Sequence, residues 1–150
     1  MTEIAFYHLQ VVPLERALPK LLEKTLAAGK RALVMAGSEE RVEALNGHLW
    51  TYEPGSWLPH GSGRDGDPED QPVWLACDDA NPNAAEFLFL TDGATSDRMD
   101  AFERCFDVFD GRDAAAVDAA RARWKAYTAA GHALTYWRQT ESGGWEKKQT

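Results

Sequence analysis

EIAFYHLQVVPLERALPKLLEKTLAAGKRALVMAGSEERVEALNGHL, residues 3–49, alternates two kinds of segment. Glu3–Leu9 is a short run rich in β-formers, and Arg31–Ala36 (RALVMA) is the continuous apolar run of a buried parallel strand. Between them Leu14, Leu18, Leu21, Leu22 and Leu26 recur at helical spacing over residues 13–28, and Gly29 supplies a stop. Pro13 suits a first helical turn. Pro19 does not suit a helix interior, so this helix is expected to kink there or to start late. Ser38 then reads as an N-cap, with Glu39 and Glu40 in the first turn, where the helix dipole favours anions. Val42, Leu45 and Leu49 give that helix its apolar stripe. Strand, helix, strand, helix in this order implies a right-handed βαβ unit.

The same logic extends down the chain. Val73–Cys77 and Glu86–Thr91 read as a third and a fourth strand, with the turn DDANPNA between them. A short helix around Ser96–Arg104, with Met99 and Phe102 on one face, leads into a fifth strand at Cys105–Phe109. The last helix runs from about Asp113 to Ala130, Gly131 ends it, and Ala133–Arg138 closes as a strand. HGSGRDGDPEDQP (residues 60–72) reads as a polar loop, and the chain from Thr140 as a polar, frayed tail. No repeat or linker divides the sequence. The expected fold is one α/β domain over residues 1–150, three-layered and Rossmann-like, with a mostly parallel central sheet and no nucleotide-binding loop.

Charge narrows the function. The net charge of −8 disfavours non-specific binding to DNA, RNA or anionic membranes, which need a basic surface. Yet Gly111–Gln139 carries five basic residues (Arg112, Arg121, Arg123, Lys125, Arg138) against two acidic ones (Asp113, Asp118), a local +3 that leaves −11 for the rest. MTEIAFYHLQ has no basic region followed by a long apolar stretch, so no signal peptide is expected, and no apolar run is long enough to span a bilayer. Cys77 and Cys105 form no CxxC or Cys/His cluster and read as buried free thiols of a cytoplasmic protein.

The obvious motifs do not carry chemistry. GSGRDG (Gly61–Gly66) matches GxGxxG literally, but His60 precedes it and DPEDQP follows it, where a dinucleotide fingerprint needs a strand before and a helix after. The first strand–helix turn, where such a fold would bind nucleotide, is QVVP and has no glycine. The acidic loop lacks EF-hand spacing. His8, His48, His60 and His132 lie on four elements without a metal-ligating pair. Ser38 has no GxSxG elbow, and Asp78 and Asp79 sit in a turn. With no acid–base or nucleophilic constellation, no cofactor and no metal, a binding module is favoured over an enzyme.

Two places remain. Trp50, Tyr52, Pro54 and Trp57 either simply cap the sheet or form an interface, where these residue types are enriched. On the last helix Val117, Arg121, Trp124, Lys125 and Thr128 share one face, with Arg123 and Tyr127 on the adjacent side. A solvated basic face is the plain reading. A tryptophan among the cations instead suits a ligand with a carboxylate and an apolar or aromatic side chain.

FYHL, AAGKRALVMA, HLWTYEPGSWLPH and ARARWKAYTAAGHALTYW, in this order and spacing, resemble the chi subunit of bacterial DNA polymerase III, a family of clamp-loader accessory proteins. The resemblance covers nearly the whole chain. It implies a Rossmann-like fold without nucleotide binding and an adaptor without catalytic activity. Its partner would be the acidic, phenylalanine-ended C-terminal tail of single-stranded-DNA-binding protein, so that nucleic acid is met indirectly. By this match Arg121 pairs with the tail's carboxylates, Trp124 (a tyrosine in other members) packs against its terminal ring, Lys125 is a weaker charge partner, and Gly131 lets the backbone turn beside the pocket. Val117 stands where some members have lysine, and Thr128 completes the face. A second surface, matching Trp50, Pro54 and Trp57, would contact the psi subunit or another clamp-loader or helicase partner. The alternatives are a small α/β nucleotide-handling enzyme and a direct single-stranded-DNA binder using aromatic stacking.

Overall fold

The computed structural model describes residues 3–51, 60–62, 68–78 and 80–148. Glu3–Leu9 forms β1, the strand about which the rest is arranged. It lies parallel to β6 (Arg104–Asp110) on one side and to β7 (Ala133–Gln139) on the other. The remaining strands are β2 (Ala32–Met35), β3 (Gly61–Ser62), β4 (Val73–Ala76), β5 (Phe87–Leu90) and β8 (Trp145–Lys148). Among the described residues they form one sheet in the order β3-β4-β2-β5-β6-β1-β7-β8. Each neighbouring pair is parallel except β7–β8.

Helices cover both faces, as the apolar central strands require. On one face α1 (Leu14–Ala27) and α2 (Glu39–Thr51) bring Leu18, Leu22, Val42 and Leu45 onto Val34, Phe89 and Phe106. On the other α3 (Ala114–Ala129) brings Ala120 and Trp124 onto Phe6, Cys105 and Phe109. Successive strand residues face opposite ways, so Phe6 joins the α3 side and its neighbour Tyr7 the α1 side. The architecture is a three-layer α/β fold with a mostly parallel sheet.

Several expectations are corrected. α1 starts at Leu14, so of the two alternatives for this helix the late start does not hold, and it runs through Pro19, which is buried. The segment near Ser96–Arg104 is a single 3₁₀ turn (Met99–Ala101), because the Glu103 amide bonds to the Glu86 carbonyl and draws the chain into the sheet. Residues 60–72 are not all loop: Gly61 and Ser62 add β3, with Gly61 against the Gln71 side chain, where a Cβ would come within 3.1 Å of it. The chain after Thr140 is not a frayed tail throughout. Trp145–Lys148 turn back as β8, and the Trp145 ring covers Tyr7 at 4.6 Å between centroids.

Both cysteines are free, but only Cys105 is fully buried, and burial pushes its thiol up to about 12. Cys77 is half-buried rather than buried, its Sγ donating to Glu39 Oε1 at 2.9 Å. No helix among the described residues is long and apolar enough to cross a membrane.

Candidate functional site

α3 is built to hold one face against the sheet and another in water. Asp113 caps its start, the side chain accepting from the Ala115 amide at 3.0 Å. Gly131 ends it with φ of +87°, the Gly131 amide bonding to Thr128 O and the His132 amide to Tyr127 O. Val117, Ala120, Arg123, Trp124 and Tyr127 form the stripe turned toward the sheet. The arginine belongs there because its guanidinium forks onto Asp107 of β6, Nε to Oδ2 at 2.6 Å and Nη2 to Oδ1 at 2.9 Å. The two side chains are 11 % and 2 % exposed, so Arg123 is an internal tie and not part of a solvated basic face. Burial raises the Asp107 carboxyl from its ordinary range, and Arg123 pulls it part of the way back.

Beside this tie lies a cavity of about 260 Å³. Its floor is Phe6 and Phe109, its walls Trp124 and Tyr136, and its rim Val117, Arg121 and Lys125. Trp124 meets Phe6 edge-on at 5.1 Å and Tyr136 edge-on at 5.9 Å. Of the residues singled out on this helix, the fold brings Val117, Arg121, Trp124 and Lys125 around one cavity. Thr128 and Gly131 do not line it: the Thr128 hydroxyl donates to the Trp124 carbonyl at 2.8 Å, and Gly131 shapes the turn. Pro54, Trp57 and the side chain of Trp50 lie outside the described residues.

The rim is electropositive. The Arg121 side chain is 76 % exposed, and its pair with Asp118 at 3.8 Å is loose. Lys125 is exposed. The spacing did not reveal the second layer, which comes from strands: His8 hydrogen-bonds the Tyr136 hydroxyl through Nδ1 and packs 5.0 Å from Phe109. Burial lowers the His8 pKa, and the charges of Arg138 and Arg121 lower it further. Burial raises Tyr136, against the pull of the same two arginines. Gly111 makes room for this arrangement, since a Cβ there would overlap the His8 ring. A ring-lined hollow of this size is below the roughly 300–1,000 Å³ of small-molecule pockets and fits one large side chain.

The crevice where an α/β sheet usually receives nucleotide is different in character. β1 and β6 are neighbours whose helices leave to opposite faces, and about 460 Å³ opens beyond their carboxyl ends. Glu15, Asp92, Asp110 and Asp113 line it, and Arg41 there is engaged by Glu15 at 3.2 Å and Asp92 at 3.1 Å. In the β1–α1 turn the amides of Gln10, Val11 and Val12 all donate to one atom, Gln139 Oε1, at 3.2, 2.8 and 3.1 Å. Amides that could cradle a phosphate are thus already used. No group of three or more His, Cys, Asp or Glu among the described residues could hold a metal.

The Gln139 oxygen gives a first expected result. Gln139→Leu strands three amides and should cost about 2–3 kcal/mol in urea unfolding, whereas Gln139→Glu, still an acceptor, should cost less. Equal losses would mean that packing, not hydrogen bonding, holds this turn.

With the fold and its pocket in view, the comparison with known families is direct. The model of the family described as "DNA polymerase III chi subunit, HolC" matches residues 1–135. The chain belongs to the DNA polymerase III chi subunit family. It is also similar to a chi protein of Rickettsia prowazekii (strain Madrid E), named "Probable DNA polymerase III subunit chi", with 30 % identity over 90 residues. That match takes in 60 % of this chain and 54 % of the other, so the chain spans about half the length of the curated relative it matches. The chi family match includes β1, α3 and the first three residues of β7, and with them most of the pocket; Tyr136 lies one residue beyond it.

Proposed function

We propose that this chi-family chain is a replisome adaptor. Its α3 pocket receives the acidic, phenylalanine-ended tail of single-stranded-DNA-binding protein, and a second surface at Trp50, Pro54 and Trp57 joins it to the clamp loader through psi or another partner. The observation that carries this reading is the pairing of one ring-sized hollow with two exposed cations: Phe6, Phe109, Trp124 and Tyr136 around it, Arg121 and Lys125 at its rim. The hollow suits an aromatic side chain, and the cations suit the carboxylates beside it. An adaptor of this kind needs no catalytic group of its own. A body of net charge −8 is repelled by DNA, so coated strands are reached through the tail.

The test is a titration of the whole chain with a synthetic acidic peptide ending in phenylalanine with a free carboxylate, followed by tryptophan fluorescence. A saturable change is expected. It should weaken severalfold between about 0.05 and about 0.5 M salt, because exposed ion pairs are screened over a few ångströms at the higher strength. Absence of saturable binding at either salt would refute the reading. Tight binding of a bare single-stranded oligonucleotide at physiological salt would favour direct DNA contact instead.

A further inference from the structure

The opposite face of the sheet carries a second ring-lined hollow. Tyr7 of β1, Phe87 and Phe89 of β5 and Phe106 of β6 surround about 210 Å³, with Lys24 of α1 and Arg104 at its edge. The rings are ordered against each other: Tyr7 stacks on Phe106 at 5.7 Å with 4° between planes, and Phe106 meets Phe89 edge-on at 4.5 Å. The Arg104 guanidinium lies 4.9 Å from the Phe106 ring centre and 5.9 Å from that of Phe87. One of its donors is spent loosely, Nη2 on Glu3 at 3.5 Å. Its Nε is buried and has no acceptor. A buried donor on a charged group is costly to leave unmet. Lys24 is exposed and close to the same opening.

We infer that this hollow is a second peptide-docking site, separate from the α3 pocket, which takes an apolar side chain flanked by a carboxylate of an acidic partner segment. Volume argues for a side chain, since about 210 Å³ is smaller than a small-molecule pocket. Charge argues for an acidic one. On a chain of net charge −8, Lys24 and the loosely paired Arg104, whose side chain is 37 % exposed, meet at an aromatic opening, where a carboxylate would complement both cations. The alternation of β1 makes the two sites back to back. Phe6 floors one and Tyr7 the other, so two acidic segments can be held at once.

The experiment uses the ¹⁵N-labelled 150-residue chain carrying Arg121→Ala, which disables the α3 rim but leaves this face unchanged. The probe is the blocked peptide acetyl-Asp-Asp-Phe-Asp-Asp-amide, with acetyl-Lys-Lys-Phe-Lys-Lys-amide as its charge-inverted control. Saturable amide shifts around Tyr7, Lys24 and Arg104 are expected with the acidic peptide alone. Lys24→Glu, an exposed change that spares the core, should weaken binding roughly threefold to tenfold. Arg104→Met, which keeps the stem over the rings, should weaken it roughly tenfold or more. Shifts confined to α3 and β7, no saturable shifts, equal response to both peptides, or an unchanged affinity in Lys24→Glu would each overturn the inference. Tail binding at α3 is reported separately by the unmodified chain, so failure of this inference and failure of that reading are distinguishable.

Discussion

Asp107→Asn should destabilise the fold by about 3–5 kcal/mol, because it leaves the Arg123 guanidinium buried beside a neutral amide. Both partners are nearly withdrawn from water, and the carboxylate supplies both acceptors of the fork. Removing one charge leaves the desolvation of the other unanswered. A domain of this kind has about 5–15 kcal/mol in all, so the loss should show as a large drop in the urea midpoint with little change of slope. The double change Asp107→Leu with Arg123→Met should recover most of it, since a buried ion pair replaced by apolar groups is often neutral. A single-mutant loss below about 1 kcal/mol would mean that water reaches the pair.

The second large effect concerns the pocket. Trp124→Ala and Arg121→Ala should each weaken the acidic tail by about 1–3 kcal/mol, roughly fivefold to more than a hundredfold, with the tryptophan at the upper end as the larger buried anchor. The two differ in what else they do. Trp124 packs on Phe6 and Tyr136, so its loss also opens the core and should lower stability. Arg121 is 76 % exposed and paired only loosely, so its removal should leave the urea midpoint within about 0.5 kcal/mol of wild type. Arg121→Ala is therefore the cleaner probe. Calorimetric affinities unchanged in both variants would sink the assignment of the tail to this pocket.

What could be read in advance follows the range of the interactions. β1, β2, β4, β5 and α2 announce themselves through local runs and periods, and their bounds fall within a residue or two of the reading. β3 has two small residues and no apolar side chain, so nothing local marks it; it exists because β4 offers an edge. β8 looks polar because its pairing with β7 and the cover of Tyr7 by Trp145 are tertiary. On α3 the period joined Val117, Arg121, Trp124 and Lys125, which line one cavity, but also Thr128, which does not. It could not tell that Arg123 faces inward, since that depends on a carboxylate 16 residues back on another element. His8 and Tyr136, separated by 128 residues, meet only in the folded sheet.

Gln139 also sets an order of events. Its oxygen closes the turn after the first strand, yet it lies 127 to 129 residues further along. The earliest turn of the chain therefore cannot be finished until the last parallel strand has docked. During synthesis, residues 10–12 must wait for nearly the whole polypeptide to emerge. In native-state hydrogen exchange the amides of Val11 and Val12 should then open together with β7, as one cooperative unit spanning both ends of the sequence, and not with the α1 turns that follow them directly.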